Sequence, residues 1–229
     1  MKTQRGFTLI ELLMALTLMA VLSGLSWRGL DGLMRTRDVT QQRVAQTAMV
    51  QTVLAQWHAD LDAMQPVAGI NDAGVSWDGQ VLRITRRSSK RLNDGKDPGL
   101  WVVAWTRRTS NASQDTDGQW MRWQSPALND RNALNLAWEQ AKLWSQNSRQ
   151  QDAPHETVLL GLTQWQLTYF RGNAWTNPLS SDGNTPSNGQ TNAAPPDAIR
   201  LLLDLPPSTG LPGRLTLDWV RPNFSNSKS

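Results

Sequence analysis

The feature that most constrains this chain lies at its start, where an apolar run from Phe7 to Ser26 follows a short polar lead containing Lys2 and Arg5. At a rise of about 1.5 Å per residue the run reaches roughly 30 Å, the thickness of bilayer hydrocarbon, so it can cross a membrane once. One carboxylate, Glu11, sits inside it. An ionisable group in a span costs on the order of 2.5–3.5 kcal/mol on insertion scales, so Glu11 either has a partner or reaches the headgroups from near the helix end. The rest of the chain has to fold as cargo on this helix.

A chain of 229 residues holds one such helix and one globular domain of ordinary size. Its net charge is +4, and half of that leaves with Lys2 and Arg5 if the lead is removed, so no general affinity for nucleic acid is implied. There is no cysteine, which excludes disulfides and leaves stability to the core. With 12 tryptophans against 3 phenylalanines and 1 tyrosine, that core is expected to be built of indoles; sugar binding is the lesser reading of the excess. Basic residues stand on both sides of the span, Lys2 and Arg5 before it and Arg28, Arg35 and Arg37 after it, so the positive-inside rule does not orient it.

Beyond the span the helical pattern continues to Gln65-Pro66. Val50, Val53, Leu54, Trp57, Leu61 and Met64 fall on one stripe suited to packing on a sheet, and Gly24, Gly29 and Gly32 allow either a bend or close helix packing. Strands are expected next. Val75–Trp77 and Gln80–Arg86 flank Asp78-Gly79, a hairpin signal, and Leu100–Arg108 and Gln119–Gln124 flank a polar loop. Between Asp130 and Ser145 the spacing of Leu134, Ala137, Trp138, Ala141 and Trp144 predicts an amphipathic helix capped by Asp130, serving either the core or a partner. One strand is expected over Leu162–Phe170. Two more close the chain, with Ile199, Leu201, Leu203 and Leu205 on one face and Leu215, Leu217 and Trp219 on another. A long helix followed by antiparallel strands makes the fold class α+β.

The string Gly6-Phe7-Thr8-Leu9-Ile10-Glu11-Leu12-Leu13-Met14-Ala15-Leu16 resembles the N-terminal signature of type IV pilins and type II secretion pseudopilins. The resemblance implies a pilin-like fold, with the first half of the helix in the membrane and the second half packed on antiparallel β-sheet. It implies cleavage after Gly6 by a prepilin peptidase, N-methylation of Phe7, and an assembly contact in which Glu11 pairs with the amino terminus of a neighbouring subunit. The implied domains are a leader at 1–6, a transmembrane assembly helix at 7–27, its periplasmic continuation at 28–66 and a β-rich domain at 67–221. A mobile loop at 177–197 and a loose tail at 222–229 complete the chain. Further on, LLGLTQWQLTYFRGNAWTNPL, PPDAIRLLLDL and GRLTLDWVRP, with WRGLDGLMRTRD after the span, resemble the minor pseudopilin J family.

That second resemblance implies a non-catalytic part of the complex that initiates the periplasmic pseudopilus and supports export of folded exoproteins. Its partners would be the I, K and H minor pseudopilins, the major pseudopilin and inner-membrane lipid, with the C-terminal domain in the periplasm. The alternative is a minor type IV pilin of the W type, acting in pilus assembly, adhesion or DNA uptake. No enzyme is expected: His58 and His155 have no metal-ligand spacing, and no nucleophile or phosphate-loop motif is present. No cofactor or metal site is expected either. Calcium at Asn93–Asp97 or Asp115–Gly118 is the lesser alternative, because the twelfth position of a loop from Asp115 is Pro126 rather than an acid. The basic cluster Arg83, Arg86, Arg87, Lys90, Arg91, Arg107 and Arg108 is expected on the exposed side of a hairpin, with an acidic partner, DNA included, as the sharper reading.

Overall fold

The computed structural model describes residues 7–87, 99–109, 118–147, 150–180 and 194–222. The chain divides into two units, residues 1–46 and residues 47–229. One helix, α1 (Leu9–Asp62), contributes to both. In the first unit every described residue is exposed, and Gly24, Gly29 and Gly32 lie in unbroken helix with open space around each.

In the second unit the last turns of α1 dock through the expected stripe. Val50, Val53, Trp57 and Leu61 are buried, with Leu54 and Met64 packed partly against them. The helix ends at Asp62, slightly before the predicted Gln65-Pro66, and the chain passes at once into contact with a sheet: the Gln65 amide donates to the Thr85 carbonyl at 2.7 Å.

Five antiparallel strands form the first sheet in sequential order: β1 (Val75–Trp77), β2 (Val81–Arg87), β3 (Leu100–Thr109), β4 (Gly118–Gln124) and β5 (Glu156–Leu162). Asp78 closes the first hairpin by accepting from the Gln80 and Val81 amides at 3.0 and 2.8 Å, with Gly79 at φ 94°, a backbone conformation that favours glycine. Successive side chains point to opposite faces of a strand, and here both faces are covered. Leu82, Ile84, Val103, Trp105 and Trp120 enter the core under α1, while Val81, Val102, Ala104, Met121 and Trp123 enter a second core under α2 (Arg131–Gln146). Strands covered on both sides read as nearly continuous apolar runs, which accounts for Leu100–Trp105.

The helix α2 resolves its two readings in favour of packing. Leu134, Ala137, Trp138, Ala141 and Trp144 are buried against the first sheet, and the Asp130 carboxylate caps the helix by accepting from the Ala133 amide at 3.0 Å.

The second sheet is antiparallel in the order β7 (Ala174–Thr176), β6 (Gln164–Arg171), β8 (Ala198–Leu205), β9 (Gly213–Val220). Its inner face carries Trp165, Leu167, Tyr169, Ile199, Leu201, Leu203, Leu205 and Trp219 into the same core as the α1 stripe. The strand expected over Leu162–Phe170 is β6, beginning at Gln164; Leu162 instead ends β5, a strand of the other sheet that the sequence reading did not expect, and Thr163 joins the two. Parity explains the break: Leu160 and Leu162 are the buried positions on one side of Thr163, Trp165, Leu167 and Tyr169 on the other, so the alternation slips by one residue where the chain changes sheet. Of the loop expected at 177–197, residues 181–193 lie outside the described residues, as do 223–229 of the expected tail.

On the solvent face of β8 and β9, Arg200 grips Asp218 through two bonds of 2.7 Å and Arg214 grips Asp204 at 2.8 and 3.0 Å, each pair directly cross-strand. The guanidinium hydrogen bonds hold both carboxyls below their ordinary pKa. A carboxyl whose folded-state pKa is depressed contributes stability above its unfolded value, near about 3.9, and loses that contribution as pH falls through the lower folded value. Arg214→Ala is therefore expected to lower the melting temperature more at pH 7 than at pH 2, measured by circular dichroism. Equal losses at both pH values would refute an electrostatic role.

Candidate assembly site

The start of α1 builds a reciprocal cap. Thr8 precedes the first helical residue, and its hydroxyl oxygen accepts from the Glu11 amide at 3.4 Å. Glu11 returns the contact: its Oε2 accepts from the Thr8 amide at 3.0 Å and from the Thr8 hydroxyl at 2.9 Å. This is the Thr-x-x-Glu capping box, in which the acid three residues into the helix satisfies a backbone donor left open at the N-terminus. Both bonds end on Oε2, so Oε1 has no partner among the described residues. Phe7 is exposed beside the cap, and Gly6 lies outside the described residues. The two readings of Glu11, paired or reaching for headgroups, thus acquire a third element, a local cap that uses half of the carboxylate. The Thr8–Glu11 spacing was the available signal for it.

A second ionic feature sits where α1 meets the sheets. Asp60 is fully buried, on the flank of the Val53–Trp57 stripe. Its Oδ1 accepts from Gln56 Nε2 at 2.9 Å, from Arg122 Nη2 at 2.9 Å and from Arg86 Nη1; its Oδ2 accepts from Arg122 Nε at 2.8 Å and Trp105 Nε1 at 2.9 Å. Two residues further, at the end of α1, Asp62 accepts from Trp219 Nε1 at 2.8 Å. Two neighbouring acids therefore fasten the helix to both sheets, Asp60 through β2, β3 and β4 and Asp62 through β9.

Four of the five described arginines of the basic cluster do not stand on an exposed hairpin face. Arg86 is consumed by Asp60. Arg83 lies buried beneath α2, donating to the Trp138 carbonyl at 3.1 Å with its guanidinium 4.6 Å from the Trp138 ring, and burial lowers its pKa. Arg107 donates to the Leu162 carbonyl at 2.8 Å, and Arg108 to the Trp144 carbonyl at 2.8 Å. The physical reason is the extra layer: α2 covers the face on which Arg83 and Arg108 stand, and its carbonyls and rings take up their donors. Arg87 is exposed, and Lys90 and Arg91 lie outside the described residues.

Among the described residues no three His, Asp or Glu side chains gather in a way that could hold a metal. His58 packs edge-on to Trp57 at 5.3 Å and His155 against Trp123 at 6.3 Å. The oxygen-rich stretches at 93–97 and 115–117 lie outside the described residues. Of the tryptophans, Trp27 and Trp175 are the exposed ones, and Trp175 lies under the Arg200 guanidinium at 4.3 Å.

Residues 1–27 match the family model described as the prokaryotic N-terminal methylation motif, which takes in Gly6, Phe7, Thr8 and Glu11 together with the apolar run. No curated protein matches the chain. Among solved structures, a chain of the GspK-GspI-GspJ complex from the enterotoxigenic Escherichia coli type 2 secretion system is similar at 15% identity over 78% of this chain and 99% of that one, with a TM-score of 0.46. Among the described residues, α1 is the helix long and apolar enough to cross a membrane.

Proposed function

We propose that this chain is a J-type minor pseudopilin of a type II protein secretion system, anchored in the inner membrane by α1 with its second unit in the periplasm. The observation that carries the proposal is Glu11: a carboxylate within a methylation motif, in an apolar span, with Oε2 held by Thr8 and Oε1 open. Cleavage after Gly6 by a prepilin peptidase creates an α-amine at Phe7. The amine of a neighbouring subunit is a cation of the right size to complete Oε1 in a medium where an unpaired charge is costly. Assignment to the J type rests on residue patterns that fold as β5 to β9 and on the Trp27–Asp38 stretch after the span. The I, K and H minor pseudopilins are its expected partners, and none of its chemistry is catalytic.

Glu11→Ala is expected to leave processing intact and to reduce crosslinking to partner pseudopilins at least about tenfold, the equivalent of about 1.4 kcal/mol or more. Undiminished crosslinking would sink the pairing. Gly6→Val is expected to abolish the mature-sized band; its persistence would put the scissile bond elsewhere. Deletion of the gene is expected to stop exoprotein secretion while surface pili persist, whereas loss of pili with intact secretion would support the W-type pilin instead.

A further inference from the structure

Past the span, the first unit keeps an apolar face that no described residue of its own covers. Trp27, Leu30 and Met34, at i, i+3 and i+7, share one side of α1 with Leu33 beside them, and all four are exposed, Trp27 at 74% and Leu33 at 70%. Arg28, Asp31 and Arg35, at the same spacing, form the adjoining flank, and Gly29, Gly32 and Thr36 occupy the far side. Arg35 pairs with Asp31 at 3.1 Å, whereas Arg28 and Arg37 have no ion pair among the described residues.

We infer that residues 27–37 lie in the membrane–water interface, with the Trp27–Leu30–Met34 face against the acyl boundary and Arg28 and Arg37 on the phosphates of anionic phospholipid. The inference rests on reading α1 as a membrane anchor. On the charged flank the polar surface begins at Arg28, one residue past the span. On the Trp27 side apolar surface continues to Met34, about 10 Å further at about 1.5 Å per residue. A helix about 10 Å across with so slanted a boundary satisfies both sides by tilting toward the apolar one, and interfacial Trp and Arg are the groups that set such a tilt. The indole has an apolar body and a polar N–H suited to headgroup depth, and arginine stems reach along apolar surface to place their charge at phosphate level.

Charge selects lipid as the occupant. Residues 27–43 carry Arg28, Arg35, Arg37 and Arg43 against Asp31 and Asp38, and Asp31 is already paired with Arg35. The excess is cationic, continuous with the span, and matched by anionic phospholipid headgroups. A packing helix would instead seek the small residues Gly29 and Gly32, which stand on the far side.

The chain contains no cysteine, so single-cysteine variants of the full chain, reconstituted without partners in phosphatidylglycerol-containing vesicles, report each position directly. Water-soluble maleimide is expected to label Leu30→Cys and Met34→Cys about tenfold more slowly than Asp31→Cys and Gly32→Cys, the periodic pattern of a helix lying at an interface. Phosphatidylcholine vesicles, or an Arg28→Gln/Arg37→Gln background, are expected to speed labelling at Leu30→Cys severalfold. Uniform rates from 28 to 35 would overturn the inference, as would protection that appears only when partner subunits are added. Leu13→Cys and Leu18→Cys separate the two readings: their protection alongside uniform labelling at 28–35 removes the interfacial stretch and keeps the anchor, while rapid labelling at 13 and 18 removes the anchor itself.

Discussion

Asp60→Ala is expected to cost about 3–5 kcal/mol of folding stability, the range for removing one partner from a buried ion pair. The loss comes less from the bonds Asp60 makes than from what its absence leaves behind. Arg86 and Arg122, with side chains 9% and 13% exposed, would remain as buried cations with no carboxylate between them. For a domain whose net stability is about 5–15 kcal/mol, that is a third or more of the total. Urea unfolding of the full chain in detergent, followed by circular dichroism, would measure it. Asp60→Asn retains the volume and an acceptor oxygen and should fall between wild type and Asp60→Ala. Replacing all three charges, as Asp60→Leu with Arg86→Met and Arg122→Met, should be milder than Asp60→Ala alone, because burial of an unpaired charge is then avoided. A loss below about 1 kcal/mol for Asp60→Ala would show that water reaches the guanidinium groups.

Trp57→Ala is the second large effect, expected at about 3–5 kcal/mol. Trp57 is fully buried where α1 meets the inner faces of both sheets, so its removal opens a cavity with rigid walls. Its indole Nε1 has no hydrogen-bond partner among the described residues, which makes the role one of volume. Trp57→Phe is accordingly expected to recover most of the loss. If Trp57→Phe were as damaging as Trp57→Ala, a polar role for the indole would have to be sought. The same urea titrations serve for both variants.

Much of the architecture was legible because it is written in local periodicity. The α1 stripe, the Asp130 cap, the Asp78-Gly79 turn and the alternation of Ile199, Leu201, Leu203 and Leu205 each depend on residues within a few positions of one another. What escaped depends on distance along the chain. Asp60 meets Arg86 and Arg122 across 26 and 62 residues, and no short window contains that pairing. The hint was an acid on the edge of an apolar stripe, which needs either a partner or exposure. The arginines of β2 and β3 read as a solvent face because strand alternation predicts one exposed side. Recognising that α2 covers that side requires knowing where the helix returns in space. Strand β5 escaped altogether: Leu160 and Leu162 alternate in opposite phase to Trp165, Leu167 and Tyr169, and so short an apolar run beside a longer one carries little signal of its own. For the assembly site, Glu11 was conspicuous as a charge in a span, and its reciprocal bond with Thr8 follows from a spacing that apolar neighbours obscure.

The indoles that fill the core also form a connected series. Trp105 and Trp120 lie 4.7 Å apart, Trp120 and Trp165 6.0 Å, and Trp165 and Trp77 4.6 Å, the first two and the last on strands of one sheet and Trp165 on the other. Rings this close share their excited states, so the series is an optical gauge of the gap between the sheets. Any event that parts the sheets, whether denaturant or the strain of joining a larger assembly, should be readable in ultraviolet circular dichroism without a label.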